Sequence, residues 1–100
     1  MFVIISTYLV RTGEEDAIIA LHEDWQRNQR PQVGGFLSAE LLRNSENSRE
    51  FLSIMCFESE EFVRQLTKNS EQDTWQQRLT SLAEKKPIFC KYTSEWSLTT

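Results

Sequence analysis

The chain has one histidine, two cysteines, three glycines and two prolines in 100 residues. A lone His22, with no CxxC pair and no Cys/His spacing, leaves no metal-ligand set. Cys56 and Cys90 each lie inside an apolar run and not in a loop, so both are expected as reduced core thiols in a cytoplasmic protein. No stretch approaches the roughly 20 apolar residues that a spanning helix needs, and no membrane partner is expected. The N-terminus lacks a basic leader region, and Ser6, Thr7 and Tyr8 interrupt its apolar run, so it reads as a strand and not as a signal peptide. Basic residues are also scarce: 11 Lys and Arg against 15 Asp and Glu give a net charge of −4. Arg27, Arg30, Lys85 and Lys86 are scattered, which argues against a phosphate-binding face and against a nucleic-acid partner. There is no internal repeat, linker or low-complexity tract, and residues 1–100 are expected to form a single domain.

What the chain does contain is four strand-like segments, nearly all apolar on both faces: FVIISTYLV (2–10), GFLSAELLR (35–43), FLSIMCFE (51–58) and PIFCKYTSEW (87–96). A strand facing water on one side alternates apolar with polar residues. In the third segment Phe51, Met55 and Phe57 point one way while Leu52, Ile54 and Cys56 point the other. Both sides of the sheet therefore need cover. Two helical regions can cover only one face of four strands, so a second copy of the chain is expected on the other.

Between the strands, Thr12-Gly13-Glu14-Glu15 has capping-box form. The following helix carries Ile18, Leu21 and Trp25 on one stripe, and Arg30-Pro31 stops it. Asn44–Ser48 is entirely polar and reads as a hairpin turn. Ser59 caps a second helical region, interrupted at Lys68-Asn69-Ser70, after which Ser70 with Asp73 restarts it and Trp75, Leu79 and Leu82 form the next stripe. The order is β-α-β-β-α-β: an α+β, ferredoxin-like chain with a four-stranded antiparallel sheet. In that topology Cys56 and Cys90 lie on strands separated by a third, too far apart for a disulfide.

The third strand running into an acidic helix start (FLSIMCFESEEFVRQL), a short break and a Trp-bearing helix (KNSEQDTWQQRLTSL), with GGFLSAELLR before them, resembles the antibiotic biosynthesis monooxygenase family. The resemblance extends from Phe2 to about Leu98. It implies a ferredoxin-like unit paired into a dimeric α/β barrel, with a pocket between sheet and helices. It also implies oxidation of a small phenolic or quinol compound by molecular oxygen with no cofactor. A family histidine three residues before the second-helix Trp is replaced here by Gln72. The haem-degrading members' histidine on that helix and asparagine in the first strand are both missing, which argues against haem degradation.

His22, the only side chain that titrates near neutrality, is the candidate general base, and its ordinary reading is a half-solvated boundary residue. Trp75 and Trp25 are candidate pocket walls, and each also belongs to an ordinary core stripe. Tyr8 and Ser6 share a face with Ile4 and offer hydroxyls, but both faces of that strand are apolar and pattern alone does not say which meets the helices. Gln72 completes the set. Glu40, a charge in an apolar strand, is expected to pair with a Lys or Arg across a dimer, with Lys91 and Glu95 suited to such pairs. The competing class is a non-catalytic ligand-binding or regulatory dimer of the same fold.

Overall fold

The structure, a computed structural model, describes residues 1–99. Four strands and three α-helices follow in the order β1 (Phe2–Leu9), α1 (Glu15–Asn28), β2 (Phe36–Arg43), β3 (Glu50–Phe57), α2 (Glu60–Thr67), α3 (Ser70–Leu82) and β4 (Ile88–Thr93), with one 3₁₀ turn at Arg30–Gln32. The sheet is antiparallel in the order β2-β3-β1-β4. This is the expected ferredoxin-like α+β arrangement.

Register decides what strand pattern left open. Phe2, Ser6 and Tyr8 of β1 are buried and pair with Phe57, Ser53 and Phe51 of β3, which are buried too. These side chains meet the helices. Val3, Ile5, Leu52, Ile54 and Cys56 occupy the opposite face and are only half-buried. On β4, Ile88 and Tyr92 share that face and are 61% and 51% exposed. All three helices lie on one side, so the second face is bare. Cys56 stands opposite Val3 and Cys90 opposite Ile5, with β1 between them, and both thiols are free.

Edge strand β2 changes face within itself. The register shifts between Phe36 and Ser38, a bulge at Leu37. Phe36 therefore shares the helix side with Ala39 and Leu41, while Ser38, Glu40 and Leu42 turn to the bare side opposite Cys56, Ile54 and Leu52. Gly35, at φ +67°, leads into this strand, and a Cβ there would run into the Phe62 ring of α2.

Three local expectations need correction. Thr12 caps nothing: Glu14 N–H bonds the Arg11 carbonyl, making Thr12 and Gly13 the centre of a turn, and Glu14 becomes the N-cap. Gly13 takes φ +87°, which suits the third position of a type II turn. At the start of α3 the capping side chain is Asn69, which accepts from Glu71 N–H at 2.8 Å. The last strand ends at Thr93 and not at Trp96. Thr93 pairs with Phe2 at the start of β1, beyond it only Ser94 N–H still bonds, to the Met1 carbonyl at 3.0 Å, and Trp96 is 80% exposed.

Candidate functional site

The amphipathic stripe of α1 seats Ile18, Leu21 and Trp25 in the core and sets His22 at its flank. Beside that flank, a cleft of about 510 Å³ runs between α1 and edge strand β2. Its floor is Ser53 and Met55 of β3, Trp75 of α3 closes its back, and Trp25 with Phe36 forms an aromatic wall, their rings 5.3 Å apart. The cleft exists because β2 is an edge strand bearing small Ala39 where it faces α1.

His22 has a defined proton inventory. Its Nδ1 lies 2.8 Å from the Ile18 carbonyl oxygen, which can only accept, so Nδ1 carries the hydrogen. In the neutral ring Nε2 then holds a lone pair. That atom is buried and has no hydrogen-bond partner among the described residues. Burial holds the His22 pKa below its usual 6.5, partly opposed by the bond to Ile18, so the ring is neutral at pH 7. The Trp75 ring meets it edge-on at 5.1 Å and the Tyr8 ring lies 5.9 Å away. The arrangement is a desolvated neutral imidazole with one unused acceptor.

Polar bonds fix the aromatic frame. Trp75 Nε1 donates to the Leu21 carbonyl at 2.9 Å, and Trp25 Nε1 donates to Gln72 Oε1 at 2.8 Å. Each bond ties α1 to α3 and removes a rotational choice from an indole. Beneath His22, the Tyr8 hydroxyl lies near those of Ser53 and Ser6, which favour its ionised form; burial, the larger influence, raises its pKa above 10 and keeps it a neutral phenol.

Of the residues singled out from sequence, His22, Trp25, Trp75 and Glu40 line the cleft. Ser6, Tyr8 and Gln72 stand behind its wall, touching what lines it. Ser53, Met55, Phe36 and Arg30 also line it and were not anticipated. Ser53 had a signal: a lone hydroxyl in the run FLSIMCF, in step with Phe51 and Phe57. Glu40 stands opposite Ile54 on the bare side and forms no ion pair among the described residues. No group of His, Cys, Asp and Glu among the described residues suits a metal ion, and no helix there is long and apolar enough to cross a membrane.

The family model for antibiotic biosynthesis monooxygenases matches residues 1–84, which carry β1 through α3 and every residue of the cleft. The chain belongs to the antibiotic biosynthesis monooxygenase family. No curated protein matches it. Among solved structures it is similar to a monooxygenase, ActVA-Orf6 of Streptomyces coelicolor, in complex with nanaomycin D: 20% identity over 99% of this chain and 91% of that one, TM-score 0.85. SnoaB, a cofactor-independent oxygenase from Streptomyces nogalater, matches at 15% identity over 99% of this chain and 97% of that chain, TM-score 0.80. A protein from Methanosarcina mazei matches at TM-score 0.84 with 11% identity, covering 94% of this chain and 92% of that chain. At these identities the structural matches establish the fold. For this monooxygenase-family chain, the chemistry has to be argued from its own cleft.

Proposed function

We propose that this protein is a cofactor-independent oxygenase that oxidises a small phenolic or quinol compound with molecular oxygen. The observation that carries the reading is the unpartnered Nε2 of a neutral His22 in the wall of an aromatic cleft. A buried acceptor without a partner costs about 1–3 kcal/mol, and a ligand hydroxyl relieves that cost once a small shift of the His22 ring opens Nε2 to the cleft. The Trp25 and Phe36 wall suits a planar ring, and fold relatives that act as a cofactor-independent oxygenase or bind nanaomycin D support the same reading.

The steps balance with oxygen as the only co-reactant. His22 Nε2 takes the hydroxyl proton, leaving a phenolate rich enough in electrons to give one to oxygen. The phenoxyl and superoxide radicals combine into a carbon–oxygen bond, and the imidazolium returns its proton to the peroxide. Loss of water, with the ring-carbon proton, breaks the oxygen–oxygen bond and leaves a quinone. The neutral Tyr8 hydroxyl, behind Ser53 of the cleft floor, keeps that floor polar beside the developing peroxide.

The active unit in this proposal is a homodimer, closed over the apolar face bearing Ile5, Ile54, Ile88 and Tyr92. An apolar sheet face of this kind calls for a partner layer.

A second reading, a ligand-binding dimer without turnover, is favoured by Gln72: α3 offers the cleft no acid–base group, and the Gln72 oxygen is already engaged by Trp25. Oxygen uptake by the purified, cofactor-free protein separates the two. Saturable uptake above spontaneous oxidation on a panel of quinols and polyphenols, lost in His22→Gln, supports the oxygenase. Ligand-dependent quenching of Trp fluorescence with no uptake moves the assignment to the binding dimer.

A further inference from the structure

The far end of the cleft holds a cation that the reaction above does not use. Arg30 follows α1, and its guanidinium lies over the Phe36 ring at 5.5 Å, at the cleft mouth. Like Arg11, Arg27 and Arg43, it forms no ion pair among the described residues, but it alone of these lines the cleft. Stacking on an aromatic face fixes a guanidinium plane while leaving its N–H edge free to donate. Two other charged residues line the cleft. Glu40 stands opposite Ile54, so its side chain belongs to the bare face and its main chain to the cleft. Glu23 lies next to His22, seven residues before Arg30, which is about 10 Å along a helix. The cleft is therefore polarised, with imidazole and Glu23 at one end and an unneutralised guanidinium stacked on the aromatic wall at the other.

We infer that Arg30 is the specificity determinant of this cleft, selecting an aromatic ligand that carries an anionic group, a carboxylate in the first instance, at the end remote from its ionisable hydroxyl. His22 lies in α1 and Arg30 in the 3₁₀ turn that follows it, eight positions on and about 12 Å along the backbone at helical rise, a spacing that suits a ligand of two or three fused rings. A planar carboxylate accepts two parallel N–H bonds from a guanidinium, which a lysine ammonium cannot reproduce. Glu23 repels the reversed orientation and so sets which ring end meets His22.

This inference deepens the oxygenase reading, since it assigns the ligand class of the same cleft, but it is tested without turnover. The probes are anthracene-2-carboxylate and its neutral amide, titrated under nitrogen against Trp fluorescence with wild type, Arg30→Gln, Arg30→Lys and His22→Gln. The expected result is a preference of about tenfold for the carboxylate at low salt. It should shrink at high salt, vanish in Arg30→Gln, return only in part in Arg30→Lys, and survive in His22→Gln. Equal binding of both probes to the wild type, or a preference that survives Arg30→Gln, overturns the Arg30 assignment and leaves the oxygenase reading standing. Failure of either probe to bind overturns the anion site as drawn. Carboxylate selectivity in a protein that consumes no oxygen with any quinol keeps the Arg30 site and removes the oxygenase.

Discussion

Gln72 Oε1 accepts the indole N–H of Trp25 at 2.8 Å, joining two buried side chains 47 residues apart. The bond holds the Trp25 ring as one wall of the cleft and ties α1 to α3. Gln72→Leu keeps the bulk and removes the acceptor, leaving a buried N–H unsatisfied at a cost of about 1–3 kcal/mol. The expected loss in Tm is about 4–8 °C per kcal/mol for a domain of this length. Adding Trp25→Phe should recover part of it, because the orphaned donor goes too. Thermal melts of the two single variants and the double variant measure the coupling.

The His22 tautomer is a direct structural consequence of the Ile18 carbonyl. Long-range ¹H–¹⁵N spectra at pH 7 should show a neutral ring protonated on Nδ1. The folded-state pKa lies below the unfolded 6.5, so the unfolded chain binds this proton more readily. The stability it contributes is complete above pH 6.5 and falls as pH drops from there to the folded value. Urea melts between pH 8 and 5 should show that loss in the wild type and not in His22→Gln.

Gly35 and Phe62 pack against each other where α2 crosses the start of β2. Gly35→Ala introduces both a Cβ collision and an unfavourable φ of +67°, and should cost more than about 1 kcal/mol. Phe62→Ala removes only the collision. In that background Gly35→Ala should cost less, yet remain unfavourable, and denaturant melts separate the two contributions.

The bare sheet face should be the dimer contact. Ile54 sits near its centre, opposite Ile5 and Glu40, far from the cleft floor formed by the other side of β3. Ile54→Lys should shift the protein from dimer to monomer in light scattering at micromolar concentration. A monomeric wild type would contradict the dimer.

Much of this was legible in the sequence because the informative residues are periodic. Alternation in FLSIMCF placed Phe51 and Phe57 together before any helix was located, and both are buried on the helix side. Stripes spaced by three and four residues placed Trp25 and Trp75 where α1 meets α3. The rest depends on pairing and not on local pattern. The Leu37 bulge decides that Phe36 and Ala39 share the helix side while the Glu40 side chain turns to the bare face, and that shift exists only relative to β3. The lone pair on His22 was equally hidden: the residue type announced a base, but only the Ile18 carbonyl says which nitrogen is free. Thr12 misled because a capping-box spelling and a type II turn share the same Thr-Gly letters, and the glycine at φ +87° chose the turn.

The measurement that bears most directly on the account is kcat/KM for oxygen uptake against pH, on a quinol that the cofactor-free protein turns over, in wild type and His22→Gln. The account predicts a wild-type rate that is flat near pH 7 and falls at acid pH with an apparent pKa below 6.5, as the imidazole takes a proton and ceases to be a base. In His22→Gln that limb should disappear, and the rate at pH 7 should drop by about 10²–10⁴-fold. A variant that keeps the wild-type rate and the same acid limb would contradict the assignment of His22 as the base.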